Sequence, residues 1–236
     1  MGTGSLIMML VVTSVIGGLL HLDRTAAFQF LISRPLVSST VTGLVLGDMK
    51  TGLLIGMVLE LLWLDTQPLG TALPPDDTIV AVVVPASAVI TGRLIGSTDI
   101  ALLGLTVLVS LPLSEAGKLL DTGVRRMNGA FLARAKVAAR NGDISGVQRQ
   151  HFAGLASFFF FFTVFSGIGI VCVFTVTRFL YPHLPRAAMV ALTWIFWSLP
   201  FFGSGALLGR KKGLLAFGTG YVAAYGTLVF LWGGID

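Results

Sequence analysis

Long apolar runs dominate the chain, and short polar or charged stretches separate them. A helix needs about 20 apolar residues to cross the hydrocarbon core of a bilayer, which is about 30 Å thick. The runs that meet this requirement each predict one spanning helix, and they cover residues 4–22, 79–97, 99–117, 152–180, 187–208 and 213–233. The chain is therefore predicted to be an all-α, polytopic transmembrane protein that forms a single membrane-embedded domain over residues 1–236.

Composition supports this class and excludes others. Only 11% of the residues are charged and 55% are hydrophobic, whereas a soluble domain carries about 25% charged residues. The chain is too apolar for a disordered protein, and a β-barrel would show short alternating segments. The net charge of +5 is typical of the basic cytoplasmic loops of membrane proteins, so no nucleic-acid partner is expected.

Residues 35–78 depart from the pattern of long runs. Two apolar arms, 36–47 and 52–64, flank a turn that contains Asp48 and Lys50. Each arm is about 18–20 Å long as a helix and is too short to span the membrane alone. One continuous helix would place both charges inside the membrane, at a cost of several kcal/mol. We therefore predict a re-entrant helical hairpin, which has to be buried in protein or to line a cavity.

The two arms share a glycine pattern. Thr42–Gly47 and Thr51–Gly56 each contain a GxxxG motif, which lets two helix backbones approach closely. Broken helices of this kind often build the binding sites of transporters. The segment that follows, 65–78, is rich in proline and acidic residues, and it predicts a loop that ends where Asp77 or Thr78 caps the next helix.

Residues 118–149 hold seven of the sixteen basic residues. Apolar residues recur there at three- and four-residue spacing, which predicts an amphipathic helix that ends at Asn141-Gly-Asp143. We interpret the segment as a cytoplasmic helix that lies at the membrane or docks a partner, with Arg125, Arg126 and Arg134 as the candidate docking residues. A basic cytoplasmic loop without a specific role is the alternative.

Catalytic signatures are absent from the sequence. It contains no phosphate-binding loop, no His/Cys metal cluster and no nucleophile elbow, so we expect neither an enzyme nor a bound metal or cofactor. The three histidines, His21, His151 and His183, lie at predicted membrane borders, where an interfacial role is favoured over catalysis.

Glu60 is the unusual residue, because it is ionisable and lies inside an apolar arm. Such a residue is a functional candidate by default, although an ion pair with Lys50 or Arg34 that holds the hairpin is the structural alternative. Carboxylates and amides that accept from several hydroxyls, together with an aromatic ring, are typical of a carbohydrate site. The candidate binding residues are Glu60, Trp63, Asp65, Gln67 and Asp76. A cation path is the competing interpretation of the same acids.

A longer string of residues carries a family resemblance. It comprises Phe28-Gln-Phe30, Ser33-Arg-Pro-Leu36, the run Gly43–Gly56, Leu59-Glu60 and Leu73-Pro-Pro-Asp76. This string resembles the membrane-embedded IIC subunit of the mannose/fructose/sorbose family of the sugar phosphotransferase system. The length and the order of apolar segments are similar over the whole chain, and beyond residue 100 the similarity is mainly one of pattern.

The resemblance implies a IIC permease that pairs with a homologous IID subunit and oligomerises. Such a pair moves a hexose-type sugar across the bacterial inner membrane by an elevator-like motion. Soluble IIA and IIB proteins carry the phosphoryl groups and IIB phosphorylates the sugar, so the IIC chain is a transport subunit and not the enzyme. The family's glutamate falls on Glu60 and its Pro-Asp element on Pro75-Asp76, which implies sugar-site roles for Glu60 and Asp76.

Two departures from the family leave the sugar open. Asp65 stands where many members have a small residue, and Asp77 adds another acid. Two alternatives to transport of a sugar also remain. One is a non-transporting membrane anchor that holds phosphotransferase proteins for regulation. The other is an unrelated ion-coupled transporter in which Glu60 and Asp65 bind a cation.

Overall fold

The computed structural model of the chain describes residues 2–27, 29–64 and 73–207, together with residues 215 and 218. Within these ranges the chain is helical and contains no strand. The α-helices are α1 (Thr3–His21), α2 (Pro35–Val45), α3 (Met49–Leu62), α4 (Asp77–Ile95), α5 (Ile100–Arg140), α6 (Ile144–Leu180) and α7 (Arg186–Leu207). A π-helical turn, Leu22–Ala26, follows α1, and a 3-10 turn, Tyr181–His183, follows α6.

Five helical segments of the described chain are long and apolar enough to cross a membrane. They are Thr3–Ala26, Asp77–Ile95, Ile100–Arg140, Ile144–His183 and Arg186–Gly205. The all-α polytopic fold is therefore confirmed, and these segments match the first five predicted spans. The sixth, 213–233, falls almost wholly outside the described residues.

The two short arms form a helical hairpin, which consists of α2, α3 and the turn between them. The turn is sharp because Gly47 adopts a positive φ of 73°. Asp48 then caps α3, since its carboxylate accepts from the amide of Thr51 at 3.1 Å and from the Thr51 hydroxyl at 2.7 Å. A Cβ atom added at Gly43 would lie 2.7 Å from Gly52 Cα. The predicted arms, turn and glycine contact are confirmed, and the re-entrant position in the membrane stays a prediction.

We expect Gly52→Ala to destabilise the protein by about 1–3 kcal/mol, despite the higher helix propensity of alanine. The added Cβ would lie 2.9 Å from Gly43 Cα and against the carbonyl oxygen of Ser39, so two backbones have to separate. Thermal unfolding of the purified chain in detergent measures the change. Gly123→Ala on α5 is the control, because nothing lies within 4 Å of its Cβ position and it should not lower the Tm. An unchanged Tm for Gly52→Ala would contradict the close contact.

Helices α5 and α6 form a second, much longer hairpin. They contain 41 and 37 residues, which corresponds to about 60 and 55 Å, or nearly twice the hydrocarbon thickness of a bilayer. The turn between them is Asn141–Asp143, as predicted, with Gly142 at a φ of 71°. Asp143 caps α6, and hydrogen bonds from the Gly146 amide and the Ser145 hydroxyl hold the pKa of its carboxyl below the usual value of 3.8.

The basic segment 118–149 does not form a helix of its own. It comprises the second half of α5, the turn and the first residues of α6. The prediction of a separate amphipathic helix is corrected in this respect, because no break interrupts α5 between its apolar and its basic half. Pro112 lies inside α5, and the helix continues past it.

Helix α4 lies at the centre of the bundle, and α1 runs antiparallel to it. His21 at the end of α1 contacts Asp76 just before α4, while Met9 near the start of α1 contacts Arg93 near the end of α4. The amide of Asp76 also donates to the carbonyl of Ser114, 2.8 Å away. We call the end of the bundle that carries His21, Asp76 and Ser114 the basal end. The second half of α5 and the start of α6 extend beyond it.

Candidate functional site

Ionisable side chains concentrate at the basal end, where the chain leaves α1, enters and leaves the hairpin, and starts α4. A run of apolar helices has few ways to satisfy such groups except by pairing them with one another. The structure brings together His21, Asp23, Arg24, Arg34, Glu60, Asp76 and Asp77 from these four places.

His21 and Asp76 form a buried pair. The Nε2 atom of His21 lies 2.9 and 3.1 Å from the two carboxylate oxygens of Asp76, and the two residues are each 1% exposed. The Nδ1 atom lies 2.9 Å from the carbonyl of Gly17, which only accepts, so Nδ1 carries a hydrogen. The imidazole also stacks on Phe162, with the ring centroids 3.9 Å apart. The ring is therefore held on three sides.

Arg24 connects this pair to the start of α4. Its guanidinium contacts the carboxylate of Asp77, lies 3.4 Å from that of Asp76 and donates to the carbonyl of Pro75 at 3.0 Å. It also donates to the hydroxyl of Thr78 at 3.1 Å. A guanidinium has five N–H donors in one plane, which suits a group that gathers several acceptors.

The π-helical turn after α1 directs two neighbouring side chains to different partners. While Arg24 holds the start of α4, Asp23 accepts from the amides of Phe30 and Ser33, at 2.6 and 3.0 Å. Asp23 therefore fixes the segment that leads into the hairpin. Short π-helical turns occur frequently at functional sites.

Glu60 lies in the last full turn of α3, beside the start of α2. Its Oε1 atom is 2.7 Å from Nη2 of Arg34, and its Oε2 atom accepts from the amide of Leu36 at 3.1 Å. The side chains of Glu60 and Arg34 remain 20% and 28% exposed. The predicted alternative of an ion pair with Arg34 is confirmed, whereas Lys50 is exposed at the opposite end of α3.

The Glu60 pair and the His21 pair belong to one polar network. Thr78 accepts from Arg24 and donates its hydroxyl hydrogen to the carbonyl of Ser33, 3.0 Å away. Ser33 precedes Arg34, which holds Glu60. The network therefore runs from a fully buried end at His21 to a partly exposed end at Glu60, where a carboxylate and a guanidinium are both accessible to a polar ligand.

Of the other predicted site residues that the structure describes, Trp63 lies beside this network and the rest lie away from it. Trp63 directly follows α3 and is 8% exposed, with its ring in the main hydrophobic core. Asp65 and Gln67 lie outside the described residues. Asp48 is in the hairpin turn, away from the basal end, and Arg125, Arg126 and Arg134 are exposed on the extension of α5. Among the described residues no His, Cys, Asp and Glu side chains are grouped to hold a metal ion.

Sequence reasoning missed three members of the network: His21, Asp23 and Arg24. Their partners are up to 55 residues away along the chain, so no local spacing reveals the contacts. The one available signal was a cluster of three ionisable residues at the end of an apolar run, and a membrane border also explains such a cluster.

Comparison with known proteins agrees with this architecture. A family model described as the sorbose-specific IIC component of the phosphotransferase system matches residues 5–232. The mannose-specific EIIC component of Escherichia coli (strain K12) is 35% identical over 127 residues, which cover 54% of this chain and 45% of that protein. The fructose permease IIC component of Bacillus subtilis (strain 168) is 32% identical over 155 residues, 66% of this chain and 53% of that protein. The chain thus spans about half the length of the curated relatives it matches.

Solved structures share the fold. A structure of a membrane protein superposes with a TM-score of 0.67 at 24% identity, over 100% of this chain and 88% of that one. A chain of the mannose transporter ManYZ, solved in complex with a microcin, gives a TM-score of 0.57 at 23% identity, over 100% and 97% of the two chains. Together with the family match over nearly the whole sequence, these findings show that the chain is a multi-pass membrane protein and belongs to the sorbose-specific IIC family of the sugar phosphotransferase system.

Proposed function

We propose that the chain is the sugar-translocating IIC permease subunit of a phosphoenolpyruvate-dependent phosphotransferase system. It would move a hexose-type sugar across a bacterial inner membrane, together with a IID subunit, for phosphorylation by IIB. The observation that carries this proposal is the partly exposed pair of Glu60 and Arg34 at the base of a glycine-packed hairpin. Family membership supports it independently.

The Glu60–Arg34 pair has the chemistry that a polyol needs. A sugar hydroxyl donates to a carboxylate and accepts from a guanidinium, so each group contributes one side of a hydrogen-bonding site. Both side chains keep enough exposure for a ligand to reach them. We assign Asp65 and Gln67 to the same site, because they follow α3 within a few residues of Glu60.

Trp63 and Asp76 hold the surroundings of this site in place and do not contact the ligand directly in this proposal. The Trp63 ring is anchored in the core directly after the helix that carries Glu60. The Asp76 carboxylate faces His21, Arg24 and the amide of Ile79 in this conformation, so it holds the network rather than the ligand. Direct contact of Asp76 with a sugar would require these bonds to be exchanged.

Charge gives the orientation of the proposed transporter. The extension beyond the basal end carries the basic segment 118–149, and basic segments face the cytoplasm. The basal end is then cytoplasmic, and the hairpin enters and leaves the membrane from that side. The Glu60 site would open on the side where IIB acts, and Arg125, Arg126 and Arg134 would be available to dock phosphocarrier proteins there.

A transport assay tests the proposal as a whole. The chain is co-expressed with its IID partner, and uptake of labelled hexoses and amino sugars into vesicles is followed with and without phosphorylated IIB. We expect one sugar to accumulate as its phosphate, and only when phosphorylated IIB is present. A folded, assembled complex that takes up no sugar would favour the regulatory anchor. Uptake that needs an ion gradient and no phosphoryl donor would favour an ion-coupled transporter.

A further inference from the structure

A groove of about 370 Å³ lies between α5 and α6 beyond the basal end, and the transport proposal does not use it. Its lining is mainly apolar and includes Phe131 and Leu132 on α5 and Leu155 and Phe158 on α6. Leu132 is 58% exposed, so apolar surface is left open there. Open apolar surface of this kind marks a binding site for a partner or a membrane component.

Two arginines flank the groove and stack on its aromatic lining. The guanidinium of Arg134 lies 5.9 Å from the ring centroid of Phe131, and that of Arg125 lies 6.0 Å from the ring centroid of Phe158. Arg125 uses its Nε to bind Asp121 at 2.8 Å, which leaves its terminal nitrogens available. Arg134 makes no ion pair within the described part of the chain. The groove therefore combines an apolar interior with a cationic rim.

One polar atom of the lining lacks a partner. The Oε1 atom of Gln150 is buried and accepts no hydrogen bond from any described residue. Buried polar atoms in folded proteins are nearly always hydrogen-bonded, so an occupant of the groove that carries a donor would satisfy this atom once the Gln150 side chain turned toward it. The neighbouring side-chain amide, that of Asn128, is already used, since it donates to the carbonyl of Gly154 and accepts from the Ser157 hydroxyl.

The groove starts at the basal end of the bundle, just past the end of α1. Ala26, just past the end of α1, contributes to the lining. Phe158 stacks on Phe162 at 6.0 Å, and Phe162 stacks on His21, the last residue of α1. The candidate spanning segment Thr3–Ala26 ends at Ala26, so the groove starts where that segment ends and extends away from it.

We propose that this groove binds an anionic phospholipid whose headgroup carries hydroxyl donors. An acyl chain would lie along Phe158 and Phe131, the phosphate would face Arg134, and a headgroup hydroxyl would donate to Gln150. Basic pockets between helices on the cytoplasmic side are typical sites for anionic lipid headgroups. This site is separate from the Glu60 network, and it shares Arg125 and Arg134 with the surface proposed to dock phosphocarrier proteins.

Lipid titration of the purified full-length chain in detergent tests the proposal. We expect phosphatidylglycerol to raise the Tm by about 3–6 °C at roughly tenfold its Kd, and phosphatidylcholine to raise it much less. Arg134→Gln should weaken the binding of phosphatidylglycerol about fivefold, because each arginine near a lipid surface contributes to the attraction. Arg126→Gln is the matched control, since it removes an equal charge from the same helix and, unlike Arg134, Arg126 makes no cation–π contact with a lining ring in the described part of the chain. Glycerol phosphate, which has no acyl chain, should not reproduce the stabilisation.

A second pair of variants tests whether the lipid occupies the groove itself. Ala135→Phe fills the groove, whereas Ala130→Phe adds the same ring at an exposed position of the same helix. Native mass spectrometry should show phosphatidylglycerol retained by wild type and Ala130→Phe and lost from Ala135→Phe. Equal retention by both variants would overturn the proposal, as would equal stabilisation by phosphatidylcholine or by glycerol phosphate. If Ala135→Phe retained phosphatidylglycerol but no longer bound a phosphocarrier protein, the lipid proposal would be wrong and the groove would be a protein-docking site.

Discussion

Glu60→Gln is expected to reduce sugar uptake in vesicles by about 10- to 100-fold. This factor corresponds to the free energy of one hydrogen bond to a charged group. The glutamine keeps the size of the side chain and removes the charge that faces Arg34 at 2.7 Å. The amide still has an oxygen to accept from Leu36, so the start of α2 keeps its partner. Because the ion pair is partly exposed, its loss should cost at most about 1 kcal/mol of stability.

Uptake and folding have to be measured on the same membranes. Glu115→Gln serves as the control, because Glu115 is an exposed acid whose only ion pair in the described chain is with Lys118, at 3.5 Å. That variant should transport like the wild type. If Glu60→Gln inserted normally and took up sugar at the wild-type rate, the assignment of Glu60 to the sugar site would be wrong, while the family and the fold would stand.

Local features of the sequence predicted the hairpin well. Gly43 on α2 and Gly52 on α3 lie close together because they face each other and neither has a side chain. The GxxxG spacing in both arms already indicated such a close approach of two helix backbones. The turn residues Gly47 and Asp48 have local signals of their own, a residue that tolerates positive φ and a helix cap. Each of these features is decided within about ten residues of chain, which is why the sequence reveals them.

The polar network at the basal end could not be predicted in the same way. The bond between His21 and Asp76 depends on how α1 and α4 pack, and 55 residues separate the two positions. Glu60 was identified because an acid inside an apolar arm is unusual by itself, whereas His21 at the end of a run has an ordinary explanation. The family resemblance pointed to Asp76, but it did not reveal that Asp76 is buried against a histidine and an arginine.

The length of α5 was underestimated for a different physical reason. A spanning helix and a basic amphipathic helix have different hydrophobic patterns, so a change of pattern near residue 118 suggested two elements. The backbone hydrogen bonds of a helix do not depend on that pattern, and α5 continues to Arg140 without interruption. The surroundings of the helix change near residue 118: before it α5 packs among several helices, and beyond it α5 packs mainly on α6 and is otherwise exposed. The sequence pattern records that change.

Asp76→Ala is expected to be the most destabilising single substitution at the basal end. It leaves His21 without its carboxylate and removes one ion-pair partner of Arg24, and removing one partner of a buried pair costs about 3–5 kcal/mol. For a chain of this size that loss corresponds to a Tm decrease of about 6–20 °C. Thermal unfolding in detergent and size-exclusion profiles would measure it.

Asp48→Ala is the matched control, because Asp48 and Asp76 both cap a helix through a single backbone amide, that of Thr51 or of Ile79. Loss of a cap alone costs about 1 kcal/mol, so the difference between the two variants isolates the buried pair. Equal losses of stability would show that His21 and Arg24 contribute nothing beyond the cap, which would contradict a cooperative network.

Gly117→Ala affects the same carboxylate without changing its chemistry. A Cβ atom at Gly117 would lie 2.7 Å from Asp76 Cβ and 2.8 Å from Asp76 Oδ2, so α5 approaches Asp76 closely only because residue 117 has no side chain. Asp76 cannot move aside freely, since His21, Arg24 and the Ile79 amide hold it. We therefore expect Gly117→Ala to lower the Tm, whereas Gly123→Ala, six residues further along the same helix in open space, should leave it unchanged or raise it slightly. Opposite signs for two identical substitutions on one helix would show that stability at the basal end depends on the position of the Asp76 carboxylate, and equal effects would show that it does not.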